Sequence, residues 1–279
     1  MILLLLATAW ASSDPAPTWP AIDAAHARAE VDSSGSFWVP STHAERGYLA
    51  RADLSLVRSP LRFQDSSGEI EAIIREVWGL DLGAAWSHGR LRLSAQAPLL
   101  LRTTSDTLPA ASGLGDARVD GRLVLLPGSE AGLGLALAGG LGLPLGAAEQ
   151  AQGAEGITGL LGLVADGSHG PLWVGGSAST ALRPRNEGDG LVQDDRLLLR
   201  GGLGLRAWQG GLLSLEASAQ TELAAPWGSL GSHPTELLLN AHHRRSGGTV
   251  LRAAVGAGVS SGVGTPAWRA VLGIGQQGS

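Results

Sequence analysis

The feature of the sequence that most constrains its fold is an alternation between apolar and polar residues. In residues 48–56 the apolar series is Tyr48, Ala50, Ala52, Leu54 and Leu56, and Arg51, Asp53 and Ser55 stand between them. The same alternation recurs in residues 90–97, 118–125, 196–206, 213–220 and 268–274. Successive side chains of a β-strand point to opposite faces, whereas a helix does not gather alternate residues on one side. The chain is therefore predicted to be all-β.

Turn residues divide the sequence into about twelve predicted strands. Most of these strands have about 10 to 13 residues, more than the usual five or six and close to the 9–11 that a tilted strand needs to cross a bilayer. The predicted ranges are 46–62, 77–87, 90–101, 116–126, 132–145, 157–166, 171–183, 195–207, 212–223, 234–244, 249–259 and 266–276.

The connections between the predicted strands alternate in length. Short connections at 88–89, 127–131, 167–170, 209–211 and 245–248 separate longer ones at 63–76, 102–115, 146–156, 184–194 and 224–233, and the last connection, 260–265, is short. Short periplasmic turns and longer outer loops are typical of outer-membrane barrels. The predicted fold is an antiparallel transmembrane β-barrel of about twelve strands, with its termini on the periplasmic side.

The charged residues fall on the polar face of the predicted strands. A charged side chain that faces lipid near the membrane midplane costs about 2–4 kcal/mol, so this face is predicted to line the lumen. The predicted lumen-lining residues carry both signs of charge: Arg51, Asp53, Asp81, Arg92, Arg118, Asp120, Arg122, Arg200, Arg206, Glu216, Glu222, Glu236, Arg252 and Arg269. Trp78, Trp86, Trp208, Trp227 and Trp268 lie near strand ends, as an interfacial aromatic girdle requires.

The composition excludes several classes of function. The 279 residues include no cysteine, which rules out disulfides, thiolate metal sites and a cysteine nucleophile. The formal net charge is −5, all 20 basic residues are arginine, and no basic run is longer than Arg244-Arg245. This pattern gives no electrostatic footprint for nucleic acid.

The amino terminus is predicted to direct export. Residues 2–11 are apolar, too few to span a bilayer as a helix, and end in an A-x-A pattern at Ala9-Trp10-Ala11. We therefore predict a signal peptide over residues 1–11, a periplasmic N-terminal lead-in over residues 12–45 and the barrel over residues 46–279.

Three short motifs resemble a known family. Gly113-Leu114-Gly115-Asp116, Leu143-Pro144-Leu145-Gly146 and the stretch from Gly262 to Arg269 are similar, in this order, to motifs in the N-terminal barrel of OmpA-like outer-membrane proteins of the myxobacterial type. The resemblance covers residues 35–279 and implies an outer-membrane barrel. Such barrels are usually followed by a peptidoglycan-binding domain, and because no such domain follows Ile274 here, cell-wall tethering is not expected.

No pattern in the sequence predicts catalytic, cofactor-binding or metal-binding residues. The neighbours His242 and His243 would face opposite sides of a strand and so would not share one metal ion. Two alternatives remain open. A hydrolase embedded in the barrel would use His233, near Glu236, as its best candidate residue, and a secreted soluble β-protein would also show alternation, although with shorter strands.

The predicted function is that of a structural outer-membrane protein or a passive, narrow pore with a lumen lined by arginine and carboxylate groups, and not that of an enzyme. The expected partners are outer-membrane lipid, the barrel-assembly machinery and possible small polar solutes. No nucleic acid and no cofactor is expected.

Overall fold

The structure is a computed structural model that describes residues 28–32, 34–43, 46–64, 70–105, 110–128, 132–147, 152–154, 156–188, 191–227, 233–260 and 264–279. The predicted signal peptide lies outside these residues. Within them, no helix is long and apolar enough to cross a membrane.

The described residues form fifteen strands in chain order. They are β1 (Gly47–Gln64), β2 (Ile70–His88), β3 (Leu91–Ser105), β4 (Ala111–Leu114), β5 (Ala117–Leu126), β6 (Leu133–Leu143), β7 (Thr158–His169), β8 (Leu172–Leu182), β9 (Asn186–Gly188), β10 (Leu191–Gln193), β11 (Arg196–Trp208), β12 (Gly211–Glu222), β13 (Thr235–Arg244), β14 (Thr249–Gly258) and β15 (Trp268–Gly278). Twelve of them are long, whereas β4, β9 and β10 are short.

The long strands close into a barrel. Each pairs antiparallel with the neighbouring long strands, and β1 pairs with both β2 and β15. The last ladder runs from Tyr48 opposite Gly278 to Arg58 opposite Trp268. Closure of this kind removes the free strand edges that hydrocarbon does not tolerate. The predicted fold class, an antiparallel barrel of twelve long strands, is confirmed.

The short strands are additions to the barrel. β4 pairs with β3 beyond the end of β5, and β9 and β10 form a hairpin between β8 and β11. Most of the predicted ends of long strands lie within one or two residues of the observed ends. Four of the short turns use a glycine with positive φ, for example Gly89 (φ 59°) and Gly170 (φ 56°), where other residues are strained.

The largest error in the predicted boundaries concerns β2, which begins at Ile70 and not at residue 77. β1 also extends to Gln64, so the long connection predicted at 63–76 is mostly strand, and β3 extends to Ser105, into the connection predicted at 102–115. The reason is an apolar cluster in which Ile73 and Ile74 are buried against Leu61 and Leu100. Burial of these side chains stabilises the strand ends beyond the limits that turn residues indicate.

The two faces of the wall differ as the alternation predicts. On β6, Leu133, Leu135 and Leu137 are exposed on the outer face, whereas Ala136 is fully buried on the inner face. Exposed leucines and valines also follow each other along the outer face of β3, β5, β7 and β12. An uncharged surface of this kind is matched to lipid.

Aromatic residues mark both ends of the apolar surface. Tyr48 lies opposite Trp86 at the short-turn end of β1, and Leu56 lies opposite Trp78 at the other end. Eight residues separate these two rows, which is roughly 26 Å along the strand. At a tilt of about 40° this corresponds to about 20 Å along the membrane normal, somewhat less than the ~25 Å apolar band of such barrels.

A charge at the middle of the outer face tests the lipid-facing assignment. Replacement of Leu137 by Arg is expected to lower the free energy of folding into liposomes by about 2–4 kcal/mol, because Leu137 lies at the centre of β6. The matched control is Leu133→Arg at the strand end, where the same change costs about 0–1 kcal/mol. Denaturant titration of both variants in liposomes measures the difference, and equal costs would contradict the assignment.

Candidate functional site in the barrel lumen

A stretch of the chain before β1 lies inside the barrel. We call residues 28–32 and 34–43 the luminal segment. Trp38 and Val39 within it are completely buried, as are Ser36 and Thr42. These residues were expected in a periplasmic lead-in, and that expectation is wrong for them, because their polar groups find their partners on the inner wall. The remainder of the predicted lead-in lies outside the described residues.

The carboxylate of Glu216 on β12 accepts three hydrogen bonds from the luminal segment. The backbone N–H groups of Phe37 and Trp38 donate to it at 2.8 and 2.7 Å. The hydroxyls of Ser36 and Ser214 donate at 2.9 and 2.7 Å. An ionised carboxylate has about four acceptor positions, so these four donors satisfy it. Glu216 is only 1% exposed, and its charge is stabilised by neutral donors.

The luminal segment is folded back on itself around Asp32. The N–H groups of Ser34 and Ser41 donate to the two oxygens of Asp32, at 2.8 and 3.0 Å. Arg122 on β5 lies 2.6 Å from the same carboxylate. Burial alone raises the pKa of Asp32, but the guanidinium groups of Arg122 and Arg92 and the two N–H donors outweigh it and hold the pKa well below its usual range.

Gly35 forms the tip of this fold. Its φ of 89° lies in the left-handed region, and a Cβ there would come within 2.7 Å of the imidazole of His242. The Gly35 carbonyl accepts a 2.8 Å hydrogen bond from the side-chain amide of Asn240. A glycine is therefore required both by the backbone conformation and by the close approach to β13.

Arginines of the wall bind the carbonyl groups of the segment. Arg92 donates to the Val31 carbonyl through two nitrogens, at 2.7 and 3.2 Å. Arg51 donates to the carbonyls of residues 29 and 30, and Arg252 donates to the Ser36 carbonyl at 3.2 Å. These bonds satisfy backbone acceptors that have no ladder partner.

The carboxylate of Glu30 bridges two distant strands. Arg200 on β11 lies 2.6 Å from it and Arg118 on β5 lies 3.4 Å from it. Near the same end of the segment, Arg28 lies 3.6 Å from Asp81 on β2. Together with the bond from Thr42 to Asp166 on β7, the segment has polar contacts with nine of the twelve long strands.

Other predicted lumen residues pair within the wall. Asp53 lies 3.0 Å from Arg51 and 4.0 Å from Arg252. Asp120 lies 2.5 Å from Arg118, and Glu236 lies 2.5 Å from Arg269. Two predicted residues lie at the ends of the barrel: Arg206 is exposed at the short-turn mouth, and Glu222 faces Arg196 in register at the other end.

Sequence reasoning missed several residues of the site. Asp166 accepts hydrogen bonds from both the N–H and the hydroxyl of Thr42, and Asn240 bonds the Gly35 carbonyl. One signal was present in the prediction itself. The predicted lining contains eight arginines and six carboxylates, a surplus of two positive charges, and buried charges need partners. Glu30 and Asp32 of the segment provide two carboxylates.

Two cavities that the described residues line in the middle of the lumen are small. One cavity between Glu30, Asp32 and the wall measures about 40 Å³, and another beside Phe37 measures about 20 Å³. A buried water needs about 10–15 Å³ measured in this way. These two cavities therefore suit a few water molecules and are too small for an organic solute.

His233, the candidate catalytic histidine, contacts the ring of Trp227 and accepts a bond from a serine hydroxyl at its backbone carbonyl. The ring of His233 lies 5.2 Å from the ring of Trp227, and the Ser260 hydroxyl donates to the backbone carbonyl of His233. His242 points inward and is buried, whereas His243 accepts a 3.0 Å bond from the indole of Trp208. Among the described residues no three His, Asp or Glu side chains are grouped as a metal site would need.

Solved structures with a similar fold come from the outer membrane. An outer-membrane channel from Pseudomonas putida F1 matches with a TM-score of 0.68 and 15% identity, over 84% of this chain and 96% of that chain. The chain has the fold of an outer-membrane channel. The NanC porin matches with a TM-score of 0.53, 8% identity and coverage of 81% and 97%, and the KdgM porin with 0.51, 9% and coverage of 82% and 99%.

At these identities the likeness concerns the fold. Comparison of the sequence with protein families and with curated proteins gives no match. The resemblance to the OmpA-like barrels therefore stays a prediction.

The contribution of Glu216 to keeping the luminal segment in place can be measured by the rate of thiol labelling. The chain has no cysteine, so a single Val39→Cys variant reports only on the buried position 39. Adding Glu216→Gln replaces one accepting oxygen with an NH₂ group that faces donors. The rate of maleimide labelling is expected to rise at least tenfold, because a lost charged hydrogen bond costs about 1.5–3 kcal/mol. Adding Glu236→Gln instead, which breaks an ion pair within the wall, is expected to leave the rate unchanged.

The lowered pKa of Asp32 predicts a pH dependence. Because the folded-state pKa lies below the ordinary value of 3.8, the stabilisation by this carboxylate is complete above about pH 4 and is lost as the pH falls through the folded-state pKa. At pH 7 Asp32→Asn is expected to lower the free energy of unfolding by about 3 kcal/mol. Urea unfolding should show a constant difference from pH 8 to 5 and a shrinking one below pH 3.8. A difference that shrinks already at pH 6 contradicts this assignment.

Proposed function

We propose that the protein is a passive channel of the outer membrane for small polar solutes, and that the luminal segment is its barrier. The observation that carries the proposal is the closed barrel with an apolar outer face and a charged inner face. A wall of this kind spans lipid and encloses a polar interior. The similar fold of a channel and two porins supports the same function.

The orientation follows from the lengths of the connections. The turns at Gly89, Gly170 and Gly210 are short, and β1 begins and β15 ends at this side of the barrel. In outer-membrane barrels short turns face the periplasm. The luminal segment thus enters the lumen from the periplasmic side, and outer-membrane lipid and the assembly machinery for barrels are the expected partners.

Conduction requires displacement of the luminal segment. The cavities beside Glu30 and Phe37 are too small for a solute, and the polar bonds of the segment reach most of the wall. A solute that crosses must therefore break some of these bonds, and water must replace them. The protein is expected to conduct weakly and in brief openings.

The family resemblance adds a narrower proposal. The GLGD, LPLG and GTPAWR motifs support descent from the barrels of OmpA-like proteins. Gly115 and Asp116 of the first motif lie where β4 ends and β5 begins, and Asp116 accepts bonds from the N–H groups of Gly146 and Ala154. Two of the motifs therefore meet in one loop cluster, which supports a shared structural role.

A disulfide tether tests the barrier. A Cβ at Gly83 on β2 would lie 2.8 Å from Cγ2 of Val31, within the reach of a disulfide. The variant Val31→Cys with Gly83→Cys has no competing thiols. In planar bilayers its conductance is expected to fall to background after oxidation and to recover after reduction, whereas each single-cysteine variant should respond to neither treatment. Glu216→Gln is expected to open more often than the unaltered protein.

Two outcomes would overturn the proposal. Equal conductance of the oxidised and reduced pair would show that solutes pass without movement of the segment. An absence of conductance in every variant, including Glu216→Gln, would leave a structural membrane protein as the function.

A further inference from the structure

A second feature of the barrel is a cavity at its short-turn mouth. It measures about 460 Å³ and lies beside the point where the luminal segment leaves the lumen. Small-molecule sites usually measure about 300–1,000 Å³. Its basic and aromatic lining residues are His43, Trp173, Arg206, Trp208, His242 and Arg244. We name this space the mouth cavity.

The mouth cavity carries a surplus of positive charge. Arg206 and Arg244 line it, and within the described part of the chain neither guanidinium has a carboxylate at ion-pair distance. Asp166 is the one acidic residue of the described lining, and its oxygens already accept from Thr42 and, at 3.4 Å, from the indole of Trp173. Arg244 donates one 3.4 Å bond to the side-chain oxygen of Gln277, which carries no charge, so both guanidinium charges remain available to an anion.

A buried histidine points to a ligand at the same place. His242 is 5% exposed, and its Nε2 has no hydrogen-bond partner among the described residues. Its other ring nitrogen lies against Gly35, where a Cβ would come within 2.7 Å. A buried polar atom without a partner costs free energy, and an oxygen of a ligand would remove that cost.

The walls of the mouth cavity also offer apolar surface. Trp173 is almost completely buried in the wall, and Trp208 is 44% exposed at the rim, where its indole N–H is bonded to His243. The ring faces of tryptophan favour flat or apolar groups. The lining therefore combines guanidinium and imidazole donors with aromatic walls.

From these observations we propose that the mouth cavity binds small organic carboxylates from the periplasmic side. Arg206 and Arg244 bind the carboxylate, since guanidinium and carboxylate groups match in geometry. A small rotation of the His242 ring brings its Nε2–H, which is enclosed in this structure, to one of the carboxylate oxygens, and the apolar part of the solute lies against Trp208. The site does not require that the barrel conduct, so it stands apart from the proposed channel.

Calorimetry with a chosen probe tests the site. The refolded barrel, in the uncharged detergent dodecyl maltoside, is titrated with benzoate and with its neutral analogue benzamide. Benzoate is expected to bind at least tenfold more tightly than benzamide. Arg206→Gln should weaken benzoate binding at least tenfold, because it removes one of the two cations. Arg90→Gln, an exposed arginine in another short turn outside the cavity, should leave binding unchanged.

Three results would overturn the proposal. They are no binding of benzoate, equal binding of benzoate and benzamide, and an equal effect of Arg206→Gln and Arg90→Gln. Heat-modifiable gel migration of each variant confirms that the barrel is folded. His242→Leu with His242→Gln gives an independent readout, because Gln keeps a donor. Weakening by Leu that Gln partly restores supports the bond to the ligand, and equal binding by both variants contradicts it.

Discussion

The arrangement of the lumen depends on one constraint, which is that a charge removed from water needs a partner. The inner wall places arginines around the luminal segment, where the two cavities beside Glu30 and Phe37 have room for only a few water molecules. The luminal segment gives them acceptors, both through the carboxylates of Glu30 and Asp32 and through backbone carbonyls such as that of Val31. Because a carbonyl accepts without adding charge, the backbone of the segment satisfies several guanidinium groups at once.

The same constraint determines what opening must involve. Withdrawal of the segment leaves Glu216 without three of its four donors and leaves Arg92 without the Val31 carbonyl. Glu216 keeps Ser214 and Arg92 keeps Ser87, but both groups need water in place of the lost bonds, since a buried charge that loses partners is costly. Displacement of the segment and filling of the lumen with water are therefore one event. The proposed channel would therefore be closed while the segment fills the lumen and would conduct only when water replaces it.

The alternation in the sequence was sufficient to predict the barrel, because lipid outside and charge inside impose opposite residue types on the two faces. Asp53 and Arg269, which it predicted to line the lumen, are both buried. It did not predict the luminal segment, which forms no strand and is held by contacts such as Ser36 to Glu216, 180 positions apart. The start of β2 at Ile70 was missed for a similar reason, because tertiary burial of Ile73 and Ile74 decides it.

The high glycine content of the chain, 42 of 279 residues, acquires a physical reason in the lumen. A Cβ at Gly83 would lie 2.8 Å from Val31, and one at Gly175 would lie 2.9 Å from Val39. Both distances are shorter than normal carbon contacts, so a larger residue at either position would push the segment away from the wall. Glycines on the inner face widen a narrow barrel just where a second layer of chain must fit. The small residues of the wall thus fit the larger side chains of the segment, and a change on one side requires a matching change on the other.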